Sequence, residues 1–524
     1  MDYSREFEKQ LLTRLAAKGF VYKGRPVATS GKRDYDGAYM GRLTSDWITT
    51  IKSPDAEIRV SLRIIRGRAR QLAMNNDYAK KFLASVAANV IGSRGIQMQS
   101  RATEPQFKNG QLVDVDDPVA NKMINREWAK WSKKGNCDVT GKYSLLDIMN
   151  IAIKAVARDG EALIRIVRGW PNKWGFALQI LEADHLDEQY DRIGPNGNVV
   201  KMGVEQDKWG RPVAYWIRTK HPGDYMYLQG GYTWDRIPAD EMIHLFLPER
   251  AEQSRGISWF HSAMTRLQMV GGYEEAELVA ARTAAAQMGV ITSPTGEYEG
   301  DDLNRDDQQT KEPVLDAEPG TYNVLPSGYD IKYPSATHPA GNYGAFMKVM
   351  LRGISSGLLV SYNSLANDLE GVNYSSIRAG LLEERDFWRM MQRWFVSSCL
   401  ERAFEEWLLM SLTTGAVPLP PAKFEKFNSP EWHPRGWAWV DPQKDQLGNA
   451  MAVMSGTYSR TRICADQGLD FETICKELAA EKDIAAKYGL ELDNLVPKGF
   501  PKTMPIDDEP SAGTQQGGGN GGKA

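Results

Sequence analysis

Gly353, Ser355 and Gly357 reproduce the G-x-S-x-G spacing that presents a nucleophilic serine on a sharp strand-to-helix bend. That chemistry needs a strand before the serine and an acid and a histidine after it. Here the flanks carry helical patterns, and His433 is the only later histidine. Small residues for close helix packing explain the triplet better. Gly135 to Lys142 approximates a phosphate-cradling loop, but five residues instead of four separate its glycines. Tyr143 also stands where Ser or Thr would hold magnesium. Asp184 and His185 offer general-base chemistry, yet they close a strand where a turn is expected, which favours a structural role. The six histidines (His185, His221, His244, His261, His338, His433) contain no i, i+4 pair and no H-x-E, so no metal site is expected. Asp301, Asp302, Asp306 and Asp307 resemble a two-metal carboxylate set, but four acids in a polar loop are more often simply solvated. Arg59, Arg63, Arg66 and Arg70 fall at i, i+4, i+7 and i+11 on one helix face. They could hold phosphates, pair with a neighbouring chain or face solvent. No catalytic constellation emerges, so neither enzymatic activity nor a cofactor is expected.

The elements that carry these residues are set by composition and patterning. The chain has 524 residues, 42% apolar and 25% charged, enough for several packed units. Its net charge is −3, unlike a chain that coats nucleic acid without specificity. Mean hydropathy is −0.46 and no apolar run approaches a membrane span. Met1 to Gln10 are charged and lack an apolar centre, so no secretory signal is expected. Cys137, Cys399, Cys464 and Cys475 match no zinc spacing, and reduced thiols are expected. Near-neutrality hides a gradient. Residues 1–104 hold 19 Lys/Arg against 10 Asp/Glu, whereas residues 293–333 hold three basic and ten acidic residues. A Gly-rich stretch after Pro501 cannot bury enough surface to order itself.

Residues 20–45 read as an extended arm. Helices are predicted from Asp55, after Asn76 and Asp77 (with Tyr78, Phe82, Val86 and Val90 on one stripe), and over Leu145 to Val156. Strands are predicted over Gly160 to Val167, Phe176 to Ala183 and Met242 to Leu247. Gly203 to Ile217 reads as a hairpin turning at Trp209 to Pro212. Ser262 to Ile291 is a proline-free helical stretch, although Gly271 and Gly272 weaken its continuity. Its alanines suit tight helix contact or simply favour helix. The acidic insert follows, with strand-like Tyr322 to Leu325 and Tyr329 to Tyr333. Then come a helix over Tyr343 to Leu359, a polar loop over Ser361 to Ser375, and a long helix from Ile377 to about Leu412. That helix is striped by Leu381, Trp388, Met391, Phe395 and Cys399, with Asn373 or Ser375 as its cap. Short helices over Lys444 to Met454 and Phe471 to Tyr488 close the pattern.

Several stretches together resemble one family. They are NNDYAKKFLASVAANVIGSRG (Asn75 to Gly95), GEAL (Gly160 to Leu163), LEADH (Leu181 to His185), IPADEMIH (Ile237 to His244) and QSRGIS (Gln253 to Ser258). LRGISSGL (Leu351 to Leu358) and GVNYSSIRAG (Gly371 to Gly380) complete the set. None is a catalytic signature, but their order and coverage, from about Asp34 to Leu490, are similar to lambda-type portal proteins of tailed bacteriophages, the head-to-tail connectors.

The resemblance implies an α+β chain with the portal fold, assembled as a ring, usually of twelve subunits, at one capsid vertex. It implies an N-terminal arm (1–45), an α+β wing (46–255), a stem helix (256–291), a small α/β clip (292–340), a second stem helix (341–360) and a channel loop (361–375). A long wing helix and connector (376–440), a helical crown (441–500) and a disordered tail (501–524) follow. Double-stranded DNA would pass through the ring, driven by a separate large terminase subunit at the clip. Head–tail adaptors would take that place later, and a major capsid or scaffold protein would surround the ring; no membrane is involved. The virion is the implied location, after assembly in the bacterial cytoplasm. On this basis Lys348, Arg352, Asn363, Asn367, Asn373 and Tyr374 are expected to line the DNA channel. Lys348 and Arg352, one helical turn apart, would form a cationic ring or else pair between subunits. Asp301, Asp302, Asp306 and Asp307 are expected to dock the terminase or adaptor. The rival readings are a metal-dependent DNA-processing enzyme using those four acids and a shell-forming capsid protein.

Overall fold

The computed structural model describes residues 45–490 except 109–110, 195–196, 225–232, 287–289, 293–329, 333–342, 371–373, 438–441 and 468. It also describes Arg42 and two short strands, β1 (Val21–Tyr22) and β2 (Arg25–Pro26), which pair with each other. The expected tail, most of the arm and most of the acidic insert lie outside the described residues.

Ser53 caps α1 (Pro54–Asn75): its Oγ accepts the Ala56 N–H at 3.3 Å, and Pro54 sits in the first turn, where no amide donor is needed. Asn76 serves two helices. Its N–H closes α1 on the Leu72 carbonyl, and its Oδ1 caps α2 (Asp77–Val90) by accepting the Ala79 N–H at 3.0 Å. Phe82, Val86 and Val90 of the predicted stripe are buried, with Tyr78 packed beside them. Next come β3 (Gln97–Ser100), the hairpin of β4 (Thr103–Lys108) and β5 (Gln111–Asp116), and α3 (Pro118–Trp131). The strands carry no clear apolar alternation, whereas α3 buries Ala120, Ile124, Trp128 and Trp131 at helical spacing. α4 (Leu145–Asp159) starts with a reciprocal cap between Ser144 and Asp147 and stops at Gly160, whose φ of 94° suits glycine.

Glycine is required at that stop for a second reason: a Cβ on Gly160 would lie 2.5 Å from the Ile257 carbonyl carbon. From here β6 (Glu161–Arg168) and β7 (Phe176–Leu181) run antiparallel. Strands β8 (Arg192–Ile193), β9 (Val199–Lys201), β10 (Val204–Gln206), β11 (Pro212–Arg218) and β12 (Trp234–Pro238) form a five-stranded antiparallel meander in chain order. The predicted hairpin is β10 with β11, its turn held by Asp207 Oδ1, which accepts the Trp209 and Arg211 N–H groups at 2.8 and 2.9 Å. β13 (Met242–Phe246) returns to the free edge of β6, giving a three-stranded sheet.

α5 (Met264–Ala286) runs unbroken through Gly271 and Gly272. The predicted extension to Ile291 is not observed. β-branched Val290 and Ile291 instead enter β14 (Val290–Thr292), which pairs with β15 (Asp330–Lys332). α6 (Tyr343–Gly357) folds back against α5. Ser262 Oγ donates to the Gly357 carbonyl at 2.8 Å at one end, and the Tyr273 and Tyr343 rings stack at 5.8 Å further along. A Cβ on Gly353 would strike the Arg266 guanidinium, and Ser355 Oγ donates to the Leu351 carbonyl within its own helix. The G-x-S-x-G triplet is therefore a packing feature. The predicted polar loop over Ser361 to Ser375 contains a short helix, α7 (Tyr362–Ala366), capped by Ser361.

α8 (Tyr374–Phe395) continues through a π-turn (Val396–Leu400) into α9 (Glu401–Thr413). Buried Trp388, Met391 and Phe395 are followed by Leu400, Phe404 and Trp407, so the inward stripe takes one five-residue step at the π-turn. α10 (Phe424–Phe427) leads to β16 (Pro430–His433), which pairs with β3 from the other end of the chain. α11 (Pro442–Met454), α12 (Arg460–Asp466) and α13 (Phe471–Lys487) follow. The main core joins the helices to the three-stranded sheet, with Trp128, Trp131, Phe404, Trp407 and Trp432 in mutual contact. A smaller core under the meander includes Leu186, Val204, Ile217 and Ile237. The fold is mixed helix and sheet. Among the described residues no helix is long and apolar enough to cross a membrane.

Candidate DNA-channel site

α6 carries Lys348 and Arg352 on consecutive turns; α7 packs on Arg352, and the chain after α7 folds back onto Lys348. Lys348 Nζ lies 3.2 Å from Glu370 Oε2 and 3.4 Å from Asp368 Oδ2. Hydrogen bonds to Glu370 and then Asp368 raise the ammonium's pKa. The Arg352 guanidinium sits 5.5 Å from the centre of the Tyr362 ring. Tyr362 donates its hydroxyl to Asp368 Oδ2 at 2.7 Å, which, with the Glu370 N–H and Lys348, lowers the Asp368 pKa. Asn367 ends α7 in the left-handed conformation, φ 55°, and donates its N–H to the Asn363 carbonyl. Its Oδ1 accepts a hydrogen bond from Lys81 Nζ of α2 at 3.0 Å.

A buried carboxylate secures this segment from behind. Glu384 of α8 accepts the Ser361 N–H at 3.3 Å, the Ser364 hydroxyl at 2.8 Å and the Trp388 indole N–H at 3.1 Å. The expected channel residues Lys348, Arg352, Asn363 and Asn367 are thus brought together, with Tyr362, Asp368, Glu370, Lys81 and Glu384 added. Lys81 and Glu384 were invisible in the sequence because each comes from a distant helix. Asn373 and the four acids Asp301, Asp302, Asp306 and Asp307 lie outside the described residues, as does the side chain of Tyr374. Of the two cations on α6, Lys348 faces two carboxylates and Arg352 an aromatic ring.

The other sequence candidates are structural. Asp138 Oδ2 accepts the Lys142 and Tyr143 N–H groups at 3.0 and 3.3 Å, filling the turn that resembled a phosphate loop. Arg59 pairs with Asp191 at 2.7 Å, and Arg70 pairs with Asp159 and Asp184. Two arginines of the stripe thus pair within the chain, and Arg66 does so more deeply. Glu182, Asp184 and His221 bring ligand atoms within 4.8 Å of one another. Arg70 already bonds Asp184 and lies 3.6 Å from Glu182, so a guanidinium holds the position a cation would need.

The densest charge assembly is buried between α1, β6 and β13. Glu161, fully inaccessible, accepts Arg66 Nη2 at 2.8 Å, Arg255 Nε at 2.9 Å and the Gly256 N–H at 3.2 Å, with His244 Nε2 at 2.9 Å. Burial alone would raise the Glu161 pKa. The Arg255 charge and the Arg255 and His244 hydrogen bonds outweigh it and hold the carboxyl well below the usual range. Glu161, His244, Arg255 and Asp184 belong to four different stretches of the family resemblance, so those stretches meet around one internal charge centre. With no access to solvent it acts as a clamp between elements, not as a site of chemistry.

The profile of the family described as "Phage portal protein, lambda family" matches residues 40–392. A "Probable portal protein" of Halomonas phage phiHAP-1 is 38% identical over 92% of this chain and 93% of its own length. "Portal protein B" of Escherichia phage lambda is 21% identical over 87% of this chain and 91% of its own length. A chain from the solved neck of an empty GTA particle superposes with a TM-score of 0.42 at 14% identity, covering 82% of this chain and 97% of that one. These matches name portal proteins and no enzymatic family. With the profile spanning most of the chain and a relative matched along nearly its whole length, the chain belongs to the lambda family of phage portal proteins.

Proposed function

We propose that copies of this chain close into a ring, of twelve subunits, whose hole carries double-stranded DNA into the capsid and out again. The membership established above supplies the portal role, and the stem carries the argument for ring closure. α5 and α6 cover only one face of each other. On the faces left over, Met269, Leu278 and Val279 of α5 and Val349 of α6 are exposed. A neighbouring copy would cover this apolar surface. The Lys348 charge, already held by Asp368 and Glu370, suits a conduit, because strong phosphate neutralisation would hold DNA in place.

In this reading 46–255 forms the wing, 256–291 and 341–360 the stem, 361–375 the channel loop, 376–440 the outer wing and 441–500 the crown. Residues 292–340 form the clip, where Asp301, Asp302, Asp306 and Asp307 meet a terminase and later an adaptor. The ring occupies one vertex of the virion. Negative-stain images of the purified full chain test the proposal: rings with a central opening are expected, and solitary molecules or closed shells refute it. Replacing Lys348 and Arg352 with Gln should alter DNA packaging or retention while rings persist. Loss of rings would assign the pair to assembly.

A further inference from the structure

α1 meets solvent along a seam that its own chain leaves open. Ile58, Leu62, Ala69 and Leu72 are buried on one side of the helix. Val60, Ile64, Gly67, Gln71 and Met74, at alternating steps of four and three, share another side and are exposed. A Cβ on Gly67 would meet nothing within 4 Å. The seam runs into a groove of about 310 Å³ between α1 and α5, lined by Arg68, Gln71, Leu72, Met264, Gln268 and Met269. Met269 is one of the exposed stem residues, so the groove continues the face assigned above to a neighbouring copy.

The segment before α1 is the complement of that groove. Trp47, Ile48 and Ile51 are 69%, 82% and 97% exposed, and Ile48 to Ile51 make no backbone hydrogen bond among the described residues. The root of the segment is fixed: the Arg250 guanidinium donates to the Lys52 carbonyl at 3.1 Å and pairs with Glu57 at 2.7 Å. An extended segment of this kind gains by entering a groove, where its large side chains leave water. The amides of Gln71 and Gln268 offer its bare backbone both donors and acceptors. Charge matches as well. Asp46, beside Trp47, and Arg68, exposed along the groove, each lack an ion pair among the described residues.

Its own chain cannot seat the whole segment in the groove. Arg68 lies ~21 Å along α1 from Pro54. Extended chain carries Ile51 at most ~11 Å from that proline. We propose that the Trp47–Ile51 segment of one copy docks on the α1 seam and the α1–α5 groove of the next copy in the ring. Segment and groove are different parts of the surface, so each copy gives on one side and receives on the other. That heterologous arrangement closes rings, whereas an identical patch on both partners would stop at pairs. The inference rests on the ring closure proposed above and names a contact that secures it outside the stem helices' mutual packing.

Benzoylphenylalanine placed at Ile48 of the full chain reads the contact by photo-crosslinking. Particles assembled from a mixture of ordinary and nitrogen-15-labelled chain are imaged, irradiated, digested and analysed by mass spectrometry. The expected product joins that position to residues 64–74 or 264–269 of another copy, with mixed-isotope pairs among the products. Trp47→Ala/Ile48→Ala/Ile51→Ala should raise the concentration for half-assembly by at least ~10-fold, since three large side chains no longer leave water. The Tm of the unassembled chain should not move, because those side chains are exposed in it. Asp46→Arg and Arg68→Asp should each weaken assembly by ~2- to 5-fold and together restore it.

Crosslinks that stay within one copy, or that join copies anywhere other than α1 and α5, overturn the proposal. Unchanged assembly of the triple variant overturns it too, as does a paired reversal that assembles no better than either single one. Rings without the expected crosslink sink this contact and leave the portal reading standing. The expected crosslink in particles without a central opening would do the reverse. Solitary molecules at every concentration overturn both.

Discussion

Replacing Glu161 with Gln tests whether the internal charge centre holds α1, β6 and β13 together. The amide keeps the shape but loses the charge, and its NH2 turns a donor toward Arg255, which itself offers only donors. Arg255 and Glu161 are fully inaccessible and Arg66 is 3% exposed, so solvent cannot replace the missing anion. Removing one partner from a buried pair of this kind costs about 3–5 kcal/mol. At ~2–4 °C per kcal/mol for a unit of this size, the Tm should fall by roughly 6–20 °C. Differential scanning calorimetry of the full chain, with circular dichroism of the starting state, reads the shift. A double-mutant cycle with Arg255→Met should show a coupling of about 0.5–3 kcal/mol, because the second change removes the charge left bare by the first. A Tm within ~2 °C of wild type would refute the reasoning. The pH sign is fixed by the same geometry. The folded carboxyl titrates below its unfolded value, so its contribution is complete above the ordinary carboxylate range and disappears as pH falls through the folded value.

Gly160→Ala should destabilise by at least ~2 kcal/mol, read as a lower urea midpoint, since φ is 94° and the new methyl would meet the Ile257 backbone; a neutral result would mean that the strand entry is loosely held. Glu205, bonded by Arg236 at 2.8 and 3.0 Å, titrates at about 2, mainly through that side-chain hydrogen bond. Its stabilisation is therefore present above the unfolded value near ~4.3 and lost as pH falls toward about 2. Unfolding measured from pH 6 to 2 should show a shallower acid dependence in Glu205→Gln than in wild type, and parallel curves would contradict this.

The helices and the central strands were legible because their apolar spacing is regular over many residues, as in Tyr78, Phe82, Val86 and Val90. Short strands such as Gln97–Ser100 and Pro430–His433 were not, since their pairing partner is more than three hundred residues away and local sequence does not encode it. The helix from Met264 was overextended because alanine-rich sequence favours helix up to the point where Val290 and Ile291 pair with a distant strand. α7 was missed because five residues are too few to show a period, and Glu384, nearly three turns into another helix, supplies the bonds that settle its first turn. Lys348 and Arg352 were correctly placed one turn apart, but spacing could not reveal the carboxylates of Asp368 and Glu370 folding back onto Lys348.

The five-residue step at Val396–Leu400 has a consequence for what the long helix can tolerate. An ordinary α-helix advances ~100° per residue, so continuing without the step would rotate everything after Phe395 by about one residue's arc. Arg402, which donates to the Met242 and Ala239 carbonyls at 2.9 and 2.7 Å, and Glu406, paired with Arg168 at 2.7 Å, would then turn toward the hydrophobic interior. Phe404 would swing out toward water. Deleting one residue of the turn would convert it to ordinary α-helix and keep the downstream phase, whereas inserting one there would exchange greasy and ionic flanks over the entire downstream segment.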